Sequence, residues 1–144
     1  MKLLSKPILL GILIASCTAI TQSGALQIPD DTKPVKIVEK SKYYTKTDPV
    51  FIKHVEQNGD FAIFSISYSG GCAEHSFDLI STGQFTPTYP PEVEIFLKHN
   101  NNGDGCRKTI DTKLYYDLKP LKNDATTQVL LVIKNTNKTL EFNY

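Results

Sequence analysis

The chain has 144 residues, with 16 basic and 15 acidic side chains, 40% hydrophobic residues and three cysteines. This length suits one domain with one hydrophobic core, and the near-neutral charge excludes the basic surface that a nucleic-acid-binding protein would carry. The sequence holds no low-complexity tract and no internal repeat. A single ordinary domain is therefore expected, with no nucleic-acid partner.

The N-terminus predicts export. Lys2 and Lys6 precede the apolar run ILLGILIA, which is far shorter than the roughly 20 residues of a membrane-spanning helix and is typical of a signal peptide. The run ends in Ile14-Ala15-Ser16-Cys17, which resembles a bacterial lipobox. This resemblance implies that a lipid is attached to the Cys17 sulfur and that the chain is cleaved just before it. We therefore interpret residues 1–16 as a lipoprotein signal peptide.

The location of the protein follows from the same segment. Thr18, directly after the cysteine, resembles an outer-membrane sorting signal, so we expect an outer-membrane lipoprotein that faces the periplasm or the cell surface. Its first partner would be the membrane, through the lipid anchor. The alternative is a secreted or periplasmic soluble protein, cleaved after Ser23-Gly24-Ala25. Residues 17–34 are polar, contain proline and lack periodicity, which predicts a flexible tether before a domain over residues 35–144.

Eight short runs beyond the tether are rich in β-branched and aromatic residues and are bounded by turn residues, as strands are. In the sixth run, Ile110, Leu114 and Tyr116 share one face while charged residues share the other, the alternation of a half-buried strand. The sequence predicts an all-β domain, an antiparallel β-sandwich of immunoglobulin-like character with about eight strands and no helix. The runs are VKIVEK (35–40), VFIKHVE (50–56), FAIFSISY (61–68), HSFDLIST (75–82), VEIFLKH (93–99), RKTIDTKLYYDL (107–118), QVLLVIK (128–134) and TLEFNY (139–144).

Two of the connections are predicted as tight hairpins. Asn58-Gly59 separates the second and third runs, and Asn and Gly tolerate the positive φ angles that a two-residue hairpin turn needs. Asn135-Thr136-Asn137 is expected to make the last hairpin. The run QVLLVIK is apolar on both faces, so we expect it to be a central strand.

Predicted export determines the chemistry expected of the cysteines. If Cys17 carries lipid, Cys72 and Cys106 remain as one pair in an oxidising compartment, where paired thiols usually form a disulfide. Closing a loop of about 34 residues would stabilise the fold by roughly 4 kcal/mol on the chain-entropy model.

Two histidines are in phase with apolar strand faces, so both should point inward. His75 lies two residues before Phe77, and His99 lies two residues after Leu97. If the two runs form an antiparallel hairpin, the cysteines and histidines gather at one end of the sandwich. The expected register sets His75 opposite His99, Phe77 opposite Leu97 and Leu79 opposite Ile95.

Three interpretations of this cluster remain open. In the first, Cys72 and Cys106 are bridged and the histidines are buried polar groups that need hydrogen-bond partners, such as Asp104 or loop carbonyls. In the second, Cys72, His75, His99 and Cys106 form a tetrahedral zinc site. In the third, the cysteines are bridged, and His75, His99 and Asp104 bind a transition-metal ion. Gly70-Gly71, just before the first cysteine, is typical of a bulge or of positive φ.

Residues 68–121 carry a spaced pattern, GGC-x2-H-x-F-x-L, then PP, then L-x-H-x4-D-x-C, then aromatic-Asp-Leu. It resembles a family of uncharacterised exported bacterial proteins, many of them lipoproteins, and more distantly the C-terminal β-sandwich of NigD-like lipoproteins. The resemblance implies an exported β-domain with no assigned activity. The residues that carry it are Tyr68 to Cys72, His75, Phe77, Leu79, Pro90-Pro91, Leu97, His99, Asp104, Cys106, Leu114, Tyr116-Asp117-Leu118 and Leu121.

An enzyme is not expected. The sequence has no G-x-S-x-G motif, and a cysteine nucleophile would need a free thiol beside a base. His54 is expected at the surface. The aromatic residues Tyr43-Tyr44 and the loop over residues 85–91 are expected to be exposed and to offer a contact surface to a protein or glycan that the sequence does not identify. We therefore expect an interaction or structural module without a cofactor, zinc being the alternative.

Overall fold

The computed structural model describes residues 27–43 and 46–144. The predicted signal peptide, the lipidation residue Cys17, residues 17–26 of the predicted tether and Tyr44 lie outside the described residues. Within the described ranges, no helix has the length and hydropathy of a membrane span.

The described chain is built almost entirely of strands, as predicted. Nine strands are accompanied by one turn of α-helix and one turn of 3₁₀-helix. The elements are β1 (Lys33–Pro34), β2 (Lys36–Ile37), α1 (Lys40–Tyr43), β3 (Phe51–Asn58), β4 (Phe61–Gly70), β5 (Ser76–Phe85), β6 (Glu92–Asn100), β7 (Lys108–Asp117), the 3₁₀ turn (Lys119–Leu121), β8 (Gln128–Ile133) and β9 (Thr139–Asn143).

The strands form two sheets that pack as a sandwich, which confirms the predicted fold class. The first sheet has the order β1-β7-β4-β3, and the second has the order β2-β5-β6-β8-β9. The sheets are mixed, because β1–β7, β2–β5 and β6–β8 are parallel pairs. The sequence did not predict these pairs. β8 runs parallel to β6 because the chain crosses to the first sheet and forms β7 between them, and such a crossover permits parallel pairing.

The hydrophobic core lies between the two sheets. Tyr116, Phe64 and Phe142 are among its largest buried side chains, and each has at most 1% of its surface exposed. The residues next to Tyr116 and Phe142 are less buried, which confirms the period-two pattern in the sixth and eighth runs, whereas Ile63, next to Phe64, is itself fully buried. β8 lies between β6 and β9, so the prediction that it is an interior strand is confirmed.

The N-terminal segment differs from the single predicted strand over 35–40. β1 pairs with Tyr116 and Asp117 of the first sheet, and β2 pairs with β5 of the second, so the chain changes sheets at the buried Val35. Pairing thus begins at Lys33, two residues inside the segment expected to be tether.

The helical turn α1 corrects the expectation that Tyr43 is exposed. Only 2% of Tyr43 is exposed, because its ring packs edge-on against Phe96, beside Ile80, on the outer face of the second sheet. The strand-like sequence ends after β2. The chain then makes one helical turn, which places Tyr43 over the apolar patch formed by Ile80 and Phe96.

The predicted hairpins are present, with one change of turn position. Asn58 pairs with Phe61, so Gly59 and Asp60 form the loop, and Gly59 has the positive φ angle of 56°. Asn135, with φ of 61°, makes the turn between β8 and β9.

The predicted register of the β5–β6 hairpin is wrong by two residues. The structure pairs Phe77 with His99, Leu79 with Leu97 and Ser81 with Ile95. An irregularity between Ser81 and Phe85, where Gly83 has φ of 68°, places extra residues in β5 and shifts the pairing. A shift of two residues keeps every side chain on its predicted face.

Candidate functional site

The candidate site lies at the end of the sandwich where β4 and β6 finish and β5 and β7 begin. Here a disulfide joins Cys72, in the loop after β4, to Cys106, in the loop before β7, with the two Cα atoms 5.8 Å apart. The predicted pairing of these two cysteines is therefore present. The bond links two loops whose strands are already neighbours in the first sheet.

The two histidines meet beneath these loops. His99 is on β6 and 2% exposed, and the side chain of His75, just before β5, is 1% exposed. His75 Nδ1 lies 2.8 Å from His99 Nε2, within hydrogen-bond distance. The register makes the histidines diagonal rather than direct neighbours, which their rings can still bridge. Phe77 stacks on His99 with centroids 4.5 Å apart, and Tyr68 packs against both imidazoles.

Asp104 is the acceptor at the centre of the site, and its side chain is fully buried. Its Oδ2 accepts the backbone N–H groups of residues 71–73 over 2.9–3.0 Å, and its Oδ1 accepts that of Cys106 over 2.8 Å. Oδ2 also lies 3.1 Å from His75 Nε2. Hydrogen bonds from the amides of Cys106, Cys72 and Ala73, with a smaller contribution from His75, hold the pKa of Asp104 well below its usual range.

The hydrogen-bond chain fixes the charge of the histidine pair. His99 Nδ1 must donate to the Pro49 carbonyl, 2.9 Å away, because a carbonyl only accepts. His75 Nε2 must donate to the carboxylate of Asp104, and one further proton must lie between the two rings. Two neutral imidazoles supply only two protons for these three bonds. The pair therefore carries one positive charge, which balances Asp104.

The carboxylate lies beside the charged pair. Burial lowers the pKa of His99, the hydrogen bond to the Pro49 carbonyl raises it, and the neighbouring His75 lowers it. His75 Nε2 lies 3.1 Å from Asp104 Oδ2. A buried carboxylate beside a buried cationic pair satisfies the rule that buried charges occur in pairs.

The four predicted zinc ligands are gathered at this end of the molecule, but their donor atoms are bonded to other groups. The disulfide joins the sulfurs of Cys72 and Cys106, and the ring nitrogens of His75 and His99 make the hydrogen bonds described above. Ligand atoms of Cys72, Asp104 and Cys106 lie within 4.8 Å of one another. A zinc ion could use this donor set only after the disulfide was reduced and hydrogen bonds of the cluster were broken.

The two glycines before Cys72 serve different needs. Gly71 has φ of 116°, as the glycine pair predicted. Gly70 is required for space, because a Cβ atom at this position would lie 2.6 Å from Cε1 and Nε2 of His75 and 3.1 Å from Oδ2 of Asp104. The sequence pattern showed the glycines but gave no sign of this close approach.

Residues before β3 complete the site, and sequence reasoning missed them. Thr47 Oγ1 accepts the backbone N–H of His99 over 2.8 Å, and Asp48 Oδ2 accepts that of Asn101 over 2.8 Å. Pro49 supplies the carbonyl for His99. These partners are about 50 positions apart in the sequence, and no local motif predicts such a contact.

The other predicted surface residues are placed as follows. His54 on β3 has 68% of its side chain exposed, as expected. In the loop over residues 85–91, Tyr89 is 96% exposed. This loop joins β5 to β6 at the end of the sandwich opposite the disulfide.

The comparison with solved structures shows the fold alone. No protein-family model matches the sequence. A search of curated proteins gives no match either. The structure is similar to a NigD-like immunity protein from Bacteroides caccae, with a TM-score of 0.56 and 16% identity, covering 76% of this chain and 57% of that chain. It is also similar to a protein of unknown function, DUF1344, from Bacteroides vulgatus, with a TM-score of 0.56 and 15% identity, covering 78% and 56%. The chain thus spans less than two thirds of either neighbour, and what it shares with them is the fold.

Replacing Gly70 by alanine should disturb the site directly. The new methyl group would overlap the His75 ring, so we expect Gly70→Ala to lower the free energy of unfolding by about 1–3 kcal/mol. Urea unfolding measures this change. Gly105→Ala is the matched control, since a Cβ atom there has open space around it. Equal stability of the two variants would contradict the packing described here.

The lowered pKa of Asp104 predicts how stability depends on pH. An unfolded aspartate titrates near pH 3.9. Because the folded protein holds the pKa of Asp104 below that value, this group stabilises the fold above about pH 4 and the contribution is lost as pH falls further. We expect the urea midpoint of the unmodified protein to fall more steeply below about pH 4 than that of Asp104→Asn, which should be less stable at neutral pH. The control Asp124→Asn, at an exposed turn position, should keep the steep dependence of the urea midpoint on pH. If this control also lost the steep dependence, the assignment of that dependence to Asp104 would be refuted.

Proposed function

We propose that the protein is a lipid-anchored β-sandwich protein of the bacterial cell envelope that acts as a non-enzymatic interaction or structural module. The observation that carries this proposal is that the reactive groups of the site are bonded to one another. The two sulfurs form a disulfide, the two imidazoles share a proton, and the carboxylate accepts four backbone N–H groups and an imidazole.

The burial of this cluster supports a structural role. Nucleophilic catalysis needs a reactive side chain within reach of both a base and the substrate. The side chains of His75 and Asp104 are at most 1% exposed, and His75 borders only a small surface pocket of about 160 Å³, beside Leu114. We infer that the cluster holds the loops together and so stabilises a domain that has to stay folded outside the cytoplasm.

The interaction role is supported by the loop that carries Tyr89. The loop is closed by backbone and side-chain hydrogen bonds between Thr86 and Glu92, over 2.8 and 3.2 Å, and is braced by Thr88, whose hydroxyl donates to the Pro90 carbonyl. An exposed tyrosine on a loop that is already ordered is suited to binding, because little conformational entropy is lost when a partner docks. A protein or a glycan is the partner class proposed for it.

The lipid anchor predicts a modification that can be measured. In cells supplied with a labelled fatty acid, the unmodified protein should carry label and lie in the membrane fraction, while Cys17→Ala should lose both. The double variant Cys72→Ala, Cys106→Ala should keep the label, because in the unmodified protein these two sulfurs bond to each other and not to lipid. An intact mass that corresponds to a mature chain beginning at Leu26 would instead support the secreted form.

The alternative, a zinc protein using Cys72, His75, His99 and Cys106, is separated by mass and metal analysis. We expect protein purified without chelator to gain about two hydrogens on reduction, to resist alkylation before reduction, and to hold no stoichiometric zinc. Two free thiols and one zinc ion per chain would overturn the disulfide proposal. Loss of that zinc in His99→Gln would then assign the metal to this cluster.

A further inference from the structure

A groove on the outer face of the second sheet lies apart from the disulfide-linked site. It runs between α1 and the loop over residues 85–91, and its volume is about 330 Å³, at the lower end of the range found for small-ligand sites. We call it the outer groove. Its lining residues come from α1, β5, the loop and β6, and they are Lys40, Tyr43, Thr82, Gln84, Phe85, Thr86, Pro87 and Glu94.

The outer groove begins where the apolar patch under Tyr43 ends. Ile80 of β5 pairs with Phe96 of β6, and Tyr43 packs on both. Further along the same two strands, the partly buried Thr82 and Glu94 line the groove. The two strands therefore form its floor, with α1 on one side and the start of the loop on the other.

Hydrogen bonds hold the floor and the loop in place. Ser81 is fully buried, and its hydroxyl donates to the Glu94 carbonyl over 2.7 Å and accepts the Gly83 N–H over 3.1 Å. The loop is closed by the two hydrogen bonds between Thr86 and Glu92. A site that is ordered before its ligand arrives loses little conformational entropy on binding.

The charges of the outer groove indicate a neutral ligand. Lys40 brings a positive charge and Glu94 a negative one, and Glu94 Oε1 lies 3.0 Å from Lys134 Nζ. An anionic ligand would be repelled by the carboxylate of Glu94, and a cationic ligand by the ammonium group of Lys40. The amide of Gln84 and the hydroxyl of Thr82 are neutral, and each can donate and accept hydrogen bonds. Such groups suit a ligand that is rich in hydroxyls.

Apolar rings accompany these polar groups. Tyr43, Phe85 and Pro87 line the groove, and Tyr89, two residues beyond Pro87, is 96% exposed. A sugar ring carries hydroxyls at its edge and C–H groups on its faces. The C–H groups have a partial positive charge and pack on the negative face of an aromatic ring. The groove and Tyr89 together therefore offer both kinds of contact that a sugar needs.

A peptide suits the outer groove less well. Extended peptides bind mainly through main-chain hydrogen bonds to the edge of a sheet, whereas this groove lies over a sheet face, where strands present side chains. A bound helix lays its apolar face into a hydrophobic groove, and Lys40, Gln84 and Glu94 make this groove polar. A glycan is the better match of the two partner classes.

We propose that the outer groove binds a neutral oligosaccharide, with one sugar ring between α1 and the loop and a neighbouring ring packed on Tyr89. The Cα atoms of Pro87 and Tyr89 are at most about 8 Å apart, so one oligosaccharide can contact both. This inference rests on the interaction role proposed above and assigns the glycan as its partner.

Titration calorimetry tests the class of ligand. The lipidated full-length protein is purified from cell envelopes in a detergent that has no sugar headgroup. The probes are the neutral hexasaccharides of glucose, mannose, galactose and xylose, with an oligogalacturonate as the charged counterpart. We expect at least one neutral probe to bind, and the oligogalacturonate to bind more weakly. Binding of the oligogalacturonate alone, or of none of the five probes, would overturn the proposal.

Two pairs of variants test the place of binding. Thr82→Phe should abolish binding, because the new ring occupies the groove, whereas Thr139→Phe, at an exposed position of β9, should bind normally. Tyr89→Ala should weaken binding about tenfold, whereas Phe51→Ala, which removes another exposed ring, should not. Equal affinities within either pair would refute the site. The urea midpoint shows whether each variant is folded, and if Thr82→Phe is not, the exposed Tyr89 pair decides.

The lipid-label experiment described above tests the anchored module separately. A chain that incorporates the label and binds no probe would refute the glycan site and leave the lipid-anchored module standing. A chain that binds a neutral probe without incorporating the label would refute the anchor and support the groove. The two proposals can therefore fail independently.

Discussion

The buried carboxylate of Asp104 is the interaction on which the closed end of the sandwich depends. It accepts N–H groups from residues 71–73 after β4 and from Cys106 before β7, and so joins the two loops that the disulfide also joins. The covalent bond limits how far the loops can separate. The carboxylate fixes their backbone conformation, because its two oxygens reach several amides at once.

The buried carboxylate of Asp104 restricts the charge, the hydrogen bonds and the size of the residues around it. A buried anion needs a cation, which the histidine pair provides, and the chain of hydrogen bonds ends where His99 donates to the Pro49 carbonyl. Removing one member would leave a buried polar group without its partner, a larger loss than the bond itself is worth. The rings of Tyr68 and Phe77 close around the pair and keep water away. Gly70 is small because this packing leaves no room for a side chain.

Local patterns predicted the parts of the structure that depend on local chemistry. Alternation placed His75 and His99 inward, the spare cysteines predicted the bridge, and Asp104 was a predicted partner. The register of β5 and β6 was wrong because the irregularity before Phe85 adds residues without changing the face pattern. The contact between Pro49 and His99, like the parallel pairing of β6 with β8, is set by how distant segments pack. A single sequence carries no periodic signal for such contacts.

The change of sheet at Val35 has a mechanical consequence. Residues 33–37 bind β7 in one layer and β5 in the other, in both cases parallel to the strand that they join. A pull on the N-terminus acts along these strands, so it loads their hydrogen bonds together in shear instead of peeling them apart in turn. The force is also divided between the two layers. The sandwich is thereby suited to stay folded under tension applied at the N-terminal end of the described domain.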